Sequence, residues 1–186
     1  MKKIVGDAKT IRQLLSGTKY SVDYYQREYK WETKHVSELI DDLTSQFYES
    51  YDPNHERAEI DKYGHYFLGS IIVSDKDGQK FIIDGQQRLT TITLILIYLY
   101  NRLTDPEDKR EVAELIFSKR LGKRSFNIDV PDRTVCMEAL YKGETLDETG
   151  KTEAVRNMIG RYHDIQELYP EDLIGNALPF FVDWLW

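Results

Sequence analysis

Cysteine is almost absent from this chain: Cys136 is the one thiol in 186 residues. A single thiol excludes an internal disulfide framework and fits a reducing compartment. Histidine is also scarce. His35, His55, His65 and His163 lie far apart with no cysteine or carboxylate at ligand spacing, so no zinc site is legible. Positive charge is in deficit, with 25 Lys and Arg against 32 Asp and Glu and a net charge of -7. That balance excludes a basic coat holding nucleic acid by bulk electrostatics, while leaving room for a local basic patch. Long apolar runs are missing too: Leu89 to Leu103 spans about 15 residues broken by threonines, short of the roughly 18 to 20 that cross a bilayer. The start, MKKIVGDAK, lacks the apolar core of a signal peptide. The expectation is a cytoplasmic protein with no membrane partner.

What is present is the composition of a folded globular protein, 41% hydrophobic and 31% charged, at a length suited to one good-sized domain. Tyrosine is frequent, 13 of 186, and several gather near the N-terminus, which directs attention to that end. Asp7 or Thr10 can cap a first short helix carrying Ile11, Leu14 and Leu15, with Gly17 as its stop. Tyr20 to Val22 reads as a strand. From Thr33, the spacing of Val36, Leu39, Ile40, Leu43 and Phe47 predicts an amphipathic helix to about Tyr51. Asp52 to Gly64 reads as an exposed loop. Tyr66 to Val73 and Lys80 to Ile83 have strand composition around an Asp77-Gly78 turn signal, which predicts a β-hairpin. Beyond the Asp105-Pro106 break, Glu111 to Phe117 reads as helix and Lys119 to Arg124 as a basic cluster. Ser125 to Ile128 reads as strand, Pro131 to Leu140 as the start of a helix ending near Gly143, and the tail from Thr152 as helical. The ending LPFFVDWLW predicts a helix seeking a partner outside the chain.

The unusual stretch is Lys80 to Leu103, where a short apolar run meets Asp84-Gly85-Gln86-Gln87-Arg88 and passes into an apolar helix. Two readings fit the spacing. In one, Asp84 is an ordinary N-cap, the glutamines are solvated and Arg88 pairs with an acid. In the other, the free first-turn N–H groups and the helix dipole attract an anion, and glycine admits it to the backbone. Gln86 and Gln87 then supply neutral donors and acceptors, Arg88 a planar fork, and Thr90 and Thr91 hydroxyls. Asp84 is placed to hold a water, a metal or an arginine. A second passage, Tyr25 to Trp31, is rich in groups that both stack and hydrogen bond. If the two met in space they would form a cleft for phosphate and base together.

Tyr25-Gln26-Arg27-Glu28-Tyr29-Lys30-Trp31, then the Leu39 to Asp42 helix turn, then Phe67-Leu68-Gly69-Ser70-Ile71, then Asp84-Gly85-Gln86-Gln87-Arg88-Leu89-Thr90-Thr91 occur in this order. Together they closely resemble the N-terminal domain of the GmrSD-type modification-dependent restriction endonucleases. The resemblance runs over roughly residues 4 to 103, and more loosely beyond. It implies an α+β, ParB/sulfiredoxin-like fold, with a small mixed sheet and a β-hairpin packed on a buried helix. Residues 1–103 would be the nucleotide-binding core and residues 104–186 a mostly helical extension of the same domain, cut before a further C-terminal domain.

The resemblance further implies an NTP-binding and hydrolysing domain of a modification-dependent DNA restriction or phage-defence system. Asp84, Gln87 and Arg88 would be catalytic. Tyr25, Gln26, Arg27, Tyr29, Trp31, Gly85, Gln86, Thr90 and Thr91 would bind nucleotide, and Asp42 would orient one of the arginines. Mg²⁺ is expected with an NTP, although the sequence shows no dedicated cage. Modified DNA is the expected partner of the full-length protein. The family signature carries a proline before its tyrosine-glutamine pair, where this chain has Asp23-Tyr24. Nothing in residues 104–186 resembles the histidine-rich nuclease motif of full-length members, so DNA cleavage is not assigned to this chain. A different class of function, a non-catalytic DNA-recognition or nucleotide-sensor module, would use the basic cluster at Lys119 to Arg124 instead.

Overall fold

The computed structural model describes residues 5–22, 28–120 and 122–185. Tyr25, Gln26 and Arg27 lie outside the described residues.

The chain opens with helix α1 (Ile11–Leu15), closed at its start by a capping box between Thr10 and Gln13, and strand β1 (Tyr20–Val22). Helix α2 (Thr33–Tyr48) buries Val36, Leu39, Ile40, Leu43 and Phe47, the stripe its spacing predicts. The polar loop after it holds a short 3-10 helix, Arg57–Lys62. Strands β2 (Ile72–Lys76) and β3 (Gln79–Asp84) form the expected hairpin, and α3 (Gln86–Arg102) follows. Every side chain from Leu89 to Tyr98 is buried, so this helix has almost no solvent face.

The second half begins with α4 (Pro106–Ile116), which Asp105 caps through the N–H groups of Glu107 and Asp108. It therefore starts a turn earlier than its apolar spacing indicates. The basic cluster is a β-hairpin, β4 (Phe117–Arg120) and β5 (Lys123–Phe126), and the run read as one strand splits at Asn127 into β5 and β6 (Ile128–Asp129). The split has a cause: the Asn127 side chain donates to Leu115 O at 2.8 Å and its backbone N–H to Ile116 O at 2.9 Å, turning the chain back onto α4. Helices α5 (Thr134–Tyr141), α6 (Glu153–Leu168) and α7 (Leu178–Trp184) complete the order.

The sheet order is β2-β3-β1-β6. β3 runs antiparallel to β2 and parallel to β1, and β1 runs parallel to β6, with Val22 beside Ile82 and Tyr20 beside Ile128. Those four side chains are buried, whereas Ser21, Phe81 and Asp129, next along their strands, are less so. One face therefore packs on the helices. A single apolar core runs from Leu15 to Leu185, so both halves of the chain share it. The fold is α+β with a small mixed sheet on a buried helix.

Three of the terminal aromatics, Phe180, Phe181 and Trp184, find partners within the chain. Phe181 is fully buried, edge-on to Phe47 with ring centroids 5.2 Å apart, and Trp184 donates its indole N–H to Gly64 O at 2.7 Å. The sequence pattern shows that these rings must be covered, not which segment covers them.

Candidate functional site: a glycine turn that gathers three segments

Asp84 ends β3, and Gly85 reverses the chain into α3 at φ +87°, ψ +8°. This left-handed conformation is one that side chains rarely adopt, and the space is closed as well: a Cβ here would overlap Ile71 Cδ1. Gly85, not Asp84, occupies the N-cap position, and no side chain among the described residues caps the helix. Among the described residues, the first-turn N–H groups of α3 thus have no side-chain acceptor.

Gln87 and Arg88 are ties. Gln87 Oε1 accepts the Lys30 N–H at 2.9 Å, and its Nε2 donates to Glu28 O at 2.7 Å. Both polar atoms of its amide hold the backbone of residues 28–30. Arg88 Nη1 donates to Ser70 O at 3.1 Å, and its guanidinium packs against Gly69, where a Cβ would stand 3.0 Å from Cζ. Gly69 takes φ +101° to allow this approach. For that reason residues 66–71 are irregular, although their composition predicts strand, and β2 begins only at Ile72.

Thr90 and Thr91 are buried, and neither hydroxyl reaches the surface at the helix start. Thr91 Oγ1 donates to Gln87 O at 3.0 Å and lies 2.7 Å from the Tyr29 hydroxyl, which is then the donor to it. Tyr29 is itself buried, with its hydroxyl pushed up to about 12 chiefly by burial. It packs in the core and offers no free ring face to a base. Asp42 Oδ2 accepts from the Tyr66 hydroxyl at 2.9 Å, and among the described residues no arginine pairs with it. Burial and this bond raise the Tyr66 hydroxyl, while the nearby Arg88 charge acts in the opposite sense.

What remains turned outward is a pocket of about 260 Å³, bounded by residues 83–88 on one side and Trp31 on the other. The two polar passages do meet. Among the described residues, the Asp84 carboxylate and the Gln86 amide have no hydrogen-bond partner, and Asp84 is exposed. Trp31 is steadied from behind by His35, their rings 5.7 Å apart and 22° from parallel. The arrangement offers a carboxylate, an amide, a guanidinium, uncapped N–H groups and an indole around one small opening.

Three contributors carry no local signal. Asn157 and Arg161 on α6 bind the backbone at Tyr29 and Trp31, and Arg133 is buried with its Nη1 3.4 Å from Thr90 Oγ1 and its guanidinium 5.8 Å from the Tyr29 ring centre. Each is remote in sequence from the group it meets. Among the described residues no cluster of three or more His, Cys, Asp or Glu could hold a metal, and no helix is long and apolar enough to cross a membrane.

Fold and site define an α+β domain organised on a strand–glycine–helix turn with a polar pocket at the helix start. The chain belongs to the family described as the GmrSD restriction endonuclease N-terminal domain, whose model matches residues 11–182. No curated protein matches it.

Proposed function

We propose that this domain binds and hydrolyses a nucleoside triphosphate, and through it regulates a modification-dependent DNA restriction or phage-defence system. The ParB/sulfiredoxin-like assignment of the fold belongs to the same proposal. The supporting observation is the pocket at the start of α3, where among the described residues Asp84 and Gln86 have no hydrogen-bond partner and the backbone N–H groups no side-chain cap. Phosphate oxygens would lie against those N–H groups, where the helix dipole favours negative charge. Arg88, fixed by Ser70 O through one nitrogen, keeps further donors for the phosphates. Trp31 provides the ring face for a base.

Hydrolysis would be attack of water on the γ-phosphorus with cleavage of its bond to the β–γ bridging oxygen, giving a nucleoside diphosphate and inorganic phosphate. Asp84, whose carboxylate has no hydrogen-bond partner among the described residues, would orient that water, while Gln87 is already tied to the backbone at Glu28 and Lys30. A lone carboxylate beside a phosphate site also fits Mg²⁺, which is commonly held by one or two carboxylates, phosphates and waters. When bound, Mg²⁺ would neutralise phosphate charge. The test is phosphate release from each NTP, with and without DNA carrying modified bases. No release and no binding of any NTP would overturn the proposal.

A second reading, a non-catalytic DNA-recognition or sensor module, rests on the β4–β5 hairpin, where Lys119 and Lys123 are exposed. Arg124 is less available, since it pairs with Glu138 at 3.1 Å and lies 3.9 Å from the Phe117 ring centre. Salt-dependent DNA binding that survives Asp84→Asn and Gln86→Ala would favour this reading.

A further inference from the structure

The Trp31 wall of the pocket belongs to no helix or strand, yet it is held on two sides. Along residues 28–31 the backbone groups alternate in their partners. Glu28 O and Lys30 N go to Gln87 on α3, while Tyr29 O accepts from Asn157 Nδ2 at 3.0 Å and Trp31 O from Arg161 Nη1 at 3.2 Å. This alternation is that of an extended strand, with side chains replacing the neighbouring strands. Asn157 and Arg161 are four residues apart and so share one face of α6. Arg161 is the more heavily used. Its Nη2 donates to Thr33 Oγ1 at 2.9 Å, fixing the first residue of α2, and its Nε donates to Asp164. The Arg161 and Asp164 side chains are only 18% and 16% exposed, so the fork is oriented from within the protein.

We infer that α6 sets the position of the Trp31 wall, with Asn157 and Arg161 as positioning residues for the pocket, so that nucleotide affinity is governed from the C-terminal half of the chain. The pocket's ligand rests on the reading above; the positioning itself does not. A movement of α6 would draw on the carbonyls of Tyr29 and Trp31 directly. It would reach Asp84 and Gln86 less directly, through α3, by way of Gln87, the Tyr29–Thr91 hydrogen bond and the packing of α6 on α3. Binding and turnover are therefore separable: loosening α6 weakens the grip on the base side while leaving the phosphate side assembled.

The experiment uses the full chain with Asn157→Asp, an isosteric change that cannot donate to Tyr29 O, and separately Thr33→Val, which removes one acceptor of Arg161. Amide hydrogen exchange over residues 28–33 is measured without ligand, and binding of a fluorescent methylanthraniloyl-GTP alongside it. Protection of 28–33 is expected to fall in both variants while α3 stays protected, and the dissociation constant to rise about tenfold, the effect of one lost hydrogen bond, with the turnover number little changed. Unchanged protection of 28–33 in both variants overturns the inference. Reduced protection with unchanged nucleotide affinity overturns its claim on the pocket. If the unaltered chain binds no nucleotide, it is the ligand reading that fails, and exchange alone decides the positioning.

Discussion

Gln87 and Lys30 are joined side chain to backbone: the amide oxygen of Gln87 accepts the Lys30 N–H at 2.9 Å, and the same amide donates to the neighbouring Glu28 carbonyl at 2.7 Å. The second glutamine of the Asp84-to-Arg88 turn is therefore a clamp. Gln87→Glu keeps the acceptor and removes the donor, placing a carboxylate oxygen against the Glu28 carbonyl. The domain should lose about 1–2 kcal/mol of stability in urea unfolding, with increased exchange at residues 28–31. Retention of full stability with loss of turnover alone would return Gln87 to a chemical role.

Gly85 is constrained twice, by its φ of +87° and by the Ile71 side chain. Gly85→Ala should cost about 1–3 kcal/mol of stability. Adding Ile71→Ala frees the space but not the dihedral, so the pair should recover only part of the steric loss in a double-mutant cycle. Full recovery would show that crowding alone matters at this turn.

The terminal helix α7 is part of the core, with Phe181 fully buried between Phe47 and Tyr169. Phe181→Ala should destabilise the whole domain by about 3–5 kcal/mol in a single cooperative transition. A separate early transition confined to the C-terminal helix would contradict a shared core.

Tyr29 gives a pH signature. Burial pushes its hydroxyl up to about 12 when folded, against 10.0 for the ordinary group. The folded state thus holds this proton more tightly than the unfolded one. Its contribution to stability is complete below pH 10, falls as the unfolded chain ionises, and is gone above about 12. Tyr29→Phe should flatten the decline in unfolding free energy over that window, and an unchanged slope would place the titration in other tyrosines.

Much of this was legible in local pattern. The stripe of α2, the Asp77-Gly78 hairpin and the apolar run of α3 each follow from periodicity or turn chemistry, and they deliver Asp84 and Gly85 to the right place. The burial of Thr90 and Thr91 had a signal in hand, since a helix without a polar stripe leaves its threonines no solvent face. The ties made by Asn157 and Arg161 had none. They join groups 128 and 130 residues apart, and hydrogen bonds from side chain to backbone leave no period in a sequence. Tyr29 shows the same limit: its ring chemistry was readable, but its orientation depended on meeting Thr91.

Among the described residues Asp84 and Gln86 are the side chains of the turn without a hydrogen-bond partner, and Asp84 tests the proposed chemistry most cleanly. Arg88 is less suited, because its loss also frees the Ser70 carbonyl and the packing on Gly69. The decisive measurement is phosphate release from the NTP the unaltered chain prefers, comparing it with Asp84→Asn at matched thermal stability. The account predicts a fall of at least about a hundredfold in turnover with an unshifted melting transition, the scale of losing a positioned catalytic group. Turnover equal to that of the unaltered chain would contradict it.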